Sequence, residues 1–176
     1  MLHTFSNLFP YTAGDAPAPS LKFGATGNAL NARNVRALIN NSEVMQRPMN
    51  FFNDSVFEVK DMPNALVNTG SAAVRILNTS AVSTDRIVVS FIELQYARQF
   101  RFGNAANFFE FQMPASNTAR YLEITEFNTG GTAPVLLDLT NNEYYTADIS
   151  VSGQVRVLLN PSATSRRLVL VSRAAA

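Results

Sequence analysis

The chain has 176 residues, 47% of them hydrophobic and only 15% charged, with a formal net charge of +1. That length suits one ordinary domain able to bury its own core, and the balanced charge excludes duplex nucleic acid or an anionic membrane as the default partner. With no cysteine and a single histidine, His3, beside Met1, the chain excludes disulfides, thiolate nucleophiles, iron–sulfur clusters and multi-histidine metal centres. A Ser-His-Asp triad would have to stand on a terminal residue.

Taken in chain order, the sequence reads as short apolar or alternating runs separated by Gly, Pro, Asn and Asp. Leu2 to Phe9 is short, interrupted by polar residues, and lacks a basic leader, so export would depend on a signal outside this piece. Ser20–Gly24 follows Pro17 and Pro19 and reads as an edge strand. Asn28–Leu38 is the best helical candidate, but Val35, Ala37 and Ile39 already alternate, so Asn34–Ile39 is taken as a strand ending at the Asn40–Asn41 turn. Asn50–Lys60 follows, stopping at Asp61-Met62-Pro63, and then Ala72–Leu77. The strongest segment is Ile87–Phe102. Along it Ile92, Leu94 and Tyr96 share one face and Val89, Phe91, Glu93 and Gln95 the other. Its sixteen residues exceed a usual strand and predict a bend near Ala97-Arg98.

The second half continues in the same style. Asn107–Met113 stops at Pro114. Arg120–Phe127 puts Tyr121, Glu123, Thr125 and Phe127 on one face and Leu122, Ile124 and Glu126 on the other. Asn128-Thr129-Gly130-Gly131 is a turn. Val135–Leu139 is a near-continuous apolar run, Asn141-Asn142 a turn, and Glu143–Asp148, Val151–Leu159 and Arg167–Ser172 complete the set. This predicts an all-β fold: an antiparallel, jelly-roll-like β-sandwich of roughly eleven strands with little or no helix, spanning residues 1–176 as a single domain. Val135–Leu139 and Val151–Leu159 must be internal or covered, because exposed apolar edges invite pairing. No apolar stretch approaches the roughly 20 residues of a membrane span.

Candidate chemistry is sparse. A glycosidase needs two carboxylates facing across a cleft; Glu58 with Asp61, or Asp138 with Asp148, could meet across strands, whereas Glu123 and Glu126 lie on opposite faces. Calcium would need an oxygen-dense loop; Asn53-Asp54 and Asn128 with Asp138 fall short, so no metal and no cofactor is expected. Arg98 and Arg101, among Tyr96, Phe100 and Phe102, predict cation–π packing or ion pairs with Glu93 or Glu110. Two aromatic pairs remain, Phe51/Phe52 and Tyr144/Tyr145. On a one-sided strand each pair must send one ring outward, and these four residues are the candidate ligand-binding set for a carbohydrate-binding module.

Several segments together resemble a known arrangement. They are Thr84–Phe100, ending in the aromatic–X–Arg–X–aromatic run Tyr96-Ala97-Arg98-Gln99-Phe100, then Phe109-Glu110-Phe111, then Ala133–Thr140 with Asp138-Leu139-Thr140, and the closing Arg167–Ser172. The ordered set is similar to the β-sandwich region preceding the peptidase domain in gingipain-like cysteine peptidases of the C25 family, PorU-like type IX secretion sortases among them. That family's catalytic Cys and His belong to a separate downstream domain, so no catalytic residue is carried over, and the chain is not expected to be an enzyme. The resemblance implies an accessory domain cut from a larger exported protein at the surface of a Gram-negative bacterium, with Met1 and Ala174-Ala175-Ala176 as boundary residues. Its implied partners are the adjacent peptidase domain, surface polysaccharide and secretion-system proteins, with no nucleic acid.

Overall fold

The computed structural model describes residues 1–13, 16–104 and 107–175; Ala176 of the terminal alanine run lies outside them. Among the described residues thirteen strands and two short 3₁₀ turns account for the regular structure, and every strand pairing is antiparallel. The fold is all-β, as the patterning predicts. The chain divides into two compact units, Met1–Gln99 and Phe100–Ala176. The even strand spacing that reads as one domain runs through both.

The first unit packs two sheets. One has the order β1-β6-β3-β4, formed by β1 (Leu2–Ser6), β3 (Ala32–Ile39), β4 (Ser42–Asn50) and β6 (Ser71–Asn78). The other, β5-β2-β7, is formed by β2 (Ser20–Gly27), β5 (Asp54–Val59) and β7 (Ile87–Gln95). Leu21, Phe23 and Ala25 from β2 meet Val35, Ala37 and Ile39 from β3 and Val74 and Ile76 from β6 in one buried cluster. The period of two along each strand puts these residues on one face. Phe23 stacks on Phe57 of β5 with ring centroids 5.1 Å apart.

The second unit also has two sheets. The larger, β11-β10-β13-β8, contains β8 (Phe108–Met113), β10 (Val135–Asp138), β11 (Glu143–Thr146) and β13 (Arg166–Val171). The smaller pairs β9 (Arg120–Thr125) with β12 (Gln154–Leu159). Leu122, Ile124, Val155, Val157 and Leu159 from the smaller sheet pack with Leu136, Leu168 and Leu170 from the larger. Of the two apolar runs expected to be internal, β10 is central. β12 is at an edge, where an isolated bridge covers part of it: Asp148 and Arg156 exchange backbone hydrogen bonds at 2.8 and 2.9 Å.

Several strand assignments shift. β1 and β4 are strands that the patterning does not reveal. β1 is exposed along most of its length, so it shows no alternation. β4 carries Pro48, which an edge strand tolerates because no ladder N–H is needed there. Asn50–Lys60 is not one strand: Phe51 turns with φ 48° and β5 begins only at Asp54. The predicted faces of β7 also need correction. The pairing with β2 slips between Gly24 and Ala25, leaving Ser90 as an extra residue. This bulge resets the alternation, so Val89 packs against the core with Ile92 and Leu94, while Val88 and Phe91 are exposed. A positive φ of 55° at Glu126 does the same after β9, turning Phe127 into the core that Leu122 and Ile124 share.

The bulge depends on a glycine. A Cβ at Gly24 would collide with Ser90 Oγ and lie 2.7 Å from Cε1 of Phe91, whose ring lies across the bare backbone. Gly24→Ala should therefore destabilise the protein by about 1–3 kcal/mol, the range for overpacking. Phe91→Ala in the same chain should recover part of that loss, because it removes one of the two obstacles. Chemical denaturation of the two single variants and the double variant gives the coupling; additive effects would show that the ring does not hold the bulge.

Candidate functional surfaces

The two aromatic pairs have different fates. Phe51 and Phe52 lie in the turn between β4 and β5 rather than on a strand, and both rings are outward, 50% and 58% exposed. The rule that one ring of a pair must point inward fails here because a turn has no alternation. Tyr144 and Tyr145 are on β11 and obey the rule. Tyr144 is 74% exposed, while Tyr145 packs against the second unit's core. The Tyr145 hydroxyl donates to Glu143, and burial, aided by that carboxylate, raises its pKa.

The Phe51–Phe52 turn is built on a buried ion pair that the sequence did not announce. Arg33 of β3 and Asp85 both have fully buried side chains. Arg33 Nε and Nη2 donate to the two Asp85 carboxylate oxygens at 2.7 and 2.9 Å, a bidentate fork. Arg33 Nη1 donates to the Phe51 carbonyl at 2.6 Å and Nη2 also to the Ala29 carbonyl at 3.0 Å. Asp85 accepts a further bond from Asn78 Nδ2 at 3.0 Å. One guanidinium thus fastens the loops around Ala29, Phe51 and Asp85. Gly27 makes the room: a Cβ there would occupy the space of Arg33 Nη1 and the Phe51 carbonyl. The Arg33 guanidinium, with Asn78, Asn31 and Ser80, outweighs burial and holds the Asp85 carboxyl well below the usual carboxylate range.

The other singled-out charges serve the fold. Asp138 is buried beside Arg166, 3.5 Å away, and does not face Asp148. Its Oδ1 accepts from the N–H groups of Thr140 and Asn141, both at 3.0 Å, and Thr140 Oγ1 accepts from Arg167 N at 2.9 Å. The Asp138-Leu139-Thr140 run is therefore a turn clasp at the end of β10. Asp148 pairs with Arg156 at 2.5 Å and Glu58 with Lys60 at 3.5 Å. Asp54 accepts from Thr26 Oγ1, and Asn128 Oδ1 from Gly130 N. Among the described residues no cluster of three or more His, Cys, Asp or Glu could hold a metal ion.

The arginine partners differ from those expected. Arg98 lies over the Phe9 ring, 5.1 Å from its centroid, and donates to the Tyr96 hydroxyl at 2.7 Å and the Asn7 carbonyl at 3.2 Å. Cation–π packing is present, but on the N-terminal segment. Arg101 pairs with Glu126 at 2.8 Å, and Glu110 with Arg167 at 2.6 Å. Phe100, the last residue of the aromatic–X–Arg–X–aromatic run, packs edge-on to Phe111.

A second surface emerges on the larger sheet of the second unit. Leu136, Leu168 and Leu170 point into the core. Alternation then sends Val135, Leu137, Val169 and Val171 to the opposite face. Register aligns them in rows: Val135 beside Val171 and Phe108, and Tyr144 beside Leu137, Val169 and Glu110. Thr146 of β11 and Glu110 and Gln112 of β8 share this face, Val169 is buried in it, and Val135, Leu137 and Val171 are half-buried, so its exposed apolar groups are Tyr144 and Phe108 at the edges; Glu110 pairs with Arg167.

No known family's sequence model matches the chain, and no curated protein does. A fold match exists to the crystal structure of dimeric latent PorU from Porphyromonas gingivalis. The TM-score is 0.65 at 12% identity, covering 100% of this chain and 18% of that one. The likeness establishes a shared fold over the full length of the chain, which spans less than a fifth of that relative.

The Asp85 carboxyl gives a pH signature. Its folded pKa is depressed, so its stabilisation is complete above the unfolded value near 4 and drains away as pH falls toward the folded value. Asp85→Asn should lower the melting temperature at pH 6, and the gap from the parent chain should narrow steadily between about pH 5 and pH 2. Melting curves across that range check it; a gap independent of pH would mean that the pair does not govern this limb.

Proposed function

We propose that this chain is a non-catalytic accessory module of a secreted or surface-anchored C25-like peptidase of the type IX sortase kind, acting to brace the peptidase domain or present a partner or substrate. The observation that carries this reading is the fold match over the whole chain to a stretch amounting to 18% of PorU. The chain lacks cysteine and has only His3 as a histidine, which suits a module whose catalytic groups lie in another domain. On this reading the two units together form one module of a larger exported protein. It works outside the cell or at the outer-membrane surface of a Gram-negative bacterium, beside the peptidase domain. The coding sequence around the module tests the idea. An export leader upstream and a domain with a reactive Cys and His downstream of Ser172 are expected; an open reading frame that ends with this chain would remove it.

A second reading, a carbohydrate-binding module, is favoured by one observation: Phe51 and Phe52 are both exposed on a turn that Arg33 holds in place. Preordered aromatic rings suit stacking on sugar faces. Tyr144 adds a third exposed ring on the other unit, while Tyr145 is partly buried against the core. Titration against a panel of surface polysaccharides should show binding that Phe51→Ala plus Phe52→Ala weakens at least tenfold. Silence across the panel rejects this reading.

A further inference from the structure

We propose that residues 7–11 form a strap that gates the joint between the two units: the peptide bond after Arg98 becomes accessible when this strap lifts, while the first unit's core stays folded. This role is independent of both functional readings.

The joint has no regular structure of its own. β7 ends at Gln95 and the first unit at Gln99, and residues 96–99 belong to no strand. Phe100, the next residue, already packs against the second unit's core, and its carbonyl accepts from Thr125 N at 2.8 Å. A strandless stretch joining two packed bodies is where local opening and nicking concentrate.

The N-terminal segment supplies the partner that this stretch lacks. After β1, Asn7 turns the chain with φ 56°, and Leu8 enters the first core and donates its N–H to the Gly70 carbonyl at 3.0 Å. Pro10 then lies opposite Arg98 as an antiparallel bridge. Proline has no N–H to give, so the bonds come from its neighbours. Gln99 N donates to the Phe9 carbonyl at 2.8 Å, and Tyr11 N to the Ala97 carbonyl at 2.9 Å. Side chains add to them. Gln99 Nε2 donates to the Pro10 carbonyl at 3.0 Å, and the Arg98 guanidinium lies over the Phe9 ring and reaches the Asn7 carbonyl. All of these contacts lie within the first unit.

The strap can lift by itself because it is anchored at one residue. Of residues 7–11 only Leu8 is buried; Phe9 and Pro10 are half-buried, and Asn7 and Tyr11 are exposed. Peeling the segment from Phe9 onward uncovers little apolar area, so it costs far less than opening the core. It also frees what a trypsin-like peptidase needs. The Arg98 side chain leaves the Phe9 ring and the Asn7 carbonyl, and the backbone on both sides of it loses its partner.

Trypsin digestion of the folded chain tests the proposal, with initial rates read bond by bond by mass spectrometry. Arg75–Ile76 is the reference: it lies in β6, between β1 and β3, and is cut only when the first unit unfolds. When lifting and reseating are fast, cleavage follows the open population. Phe9→Ala with Tyr11→Pro removes the ring and one backbone donor, and should raise cleavage at Arg98–Gln99 about tenfold relative to Arg75–Ile76. Phe9→Tyr keeps the ring and should stay near the parent rate. Hydrogen exchange of the Gln99 amide, which the strap holds, should rise with the cleavage while β6 amides stay protected. An unchanged relative rate would overturn the strap. An equal rise at both bonds with β6 still protected would overturn it too, because the effect would then not be confined to the joint. If the double variant loses its fold, Phe9→Ala alone, with an expected rise of about threefold, decides.

Discussion

Each unit carries one buried aspartate–arginine pair at the margin of its core, and the loops around it depend on that pair. Moving two charges out of water is expensive, and their mutual attraction compensates only when the remaining donors and acceptors are satisfied. Arg33 and Asp85 meet this condition. The guanidinium divides its donors between a carboxylate and two backbone carbonyls, and the carboxylate takes an additional amide. Asp138 and Arg166 follow this plan only in part in the second unit, since Arg166 Nη1, 3.5 Å from Asp138, is buried with no hydrogen-bond partner among the described residues. The carboxylate gathers Thr140 and Asn141, while Arg166 reaches the Asn160 carbonyl. In both units a charged side chain replaces regular structure as the means of holding loops in place. Removing either partner would leave the other charge buried without compensation, so these positions constrain sequence as strongly as the apolar core does.

The apolar strands were legible because burial on one face writes a period of two into the sequence. β8, β9 and β10 fall within the runs read from patterning, β3, β6 and β13 match theirs to within one or two residues at an end, and the Asn40-Asn41 and Asn141-Asn142 turns fall where asparagine tolerates positive φ. β1 and β4 escaped because edge strands lose that signal: β1 is mostly exposed, and β4 mixes Pro48 with a register slip opposite Ala37 and Leu38. Val89 was placed on the wrong face for a different reason. A single extra residue, Ser90, inverts the phase of everything on one side of it, and its only trace in the sequence is Gly24 on the partner strand. Pairwise chemistry was the least legible. Arg33 and Asp85 are 52 positions apart, and nothing local to either one indicates the other.

The residues that carry the family resemblance have architectural roles here. Arg98 pins the N-terminal segment against β7 through Phe9, Asn7 and Tyr96, and Phe100 fills the second unit's core. Asp138 and Thr140 clasp a hairpin and its neighbouring strand. The match at 12% identity shows a shared fold. Because its members serve the architecture, the pattern says little about binding. Information about partners has to come from residues that the fold does not require.

β10 and β12 make that distinction concrete. In the sequence both read as apolar runs that needed covering. β12 satisfies the core with Val155, Val157 and Leu159, and its outward positions are Gln154, Arg156 and Leu158, two of them polar. It is a one-sided strand, as an antiparallel sheet facing water should be. β10 gives the core Leu136, yet keeps Val135 and Leu137 on the opposite face, where β13 meets them with Val169 and Val171. Val169 is buried on that face and Val135, Leu137 and Val171 are half-buried there, so this second layer is itself largely shielded from water. Polar Thr146, Glu110 and Gln112 share the face with it, and the exposed rings of Tyr144 and Phe108 flank it at the two edges of the sheet. The two runs thus resolve differently: β12 spends its apolar residues mainly on the core, and β10 divides them between the core and a half-buried layer on its own sheet.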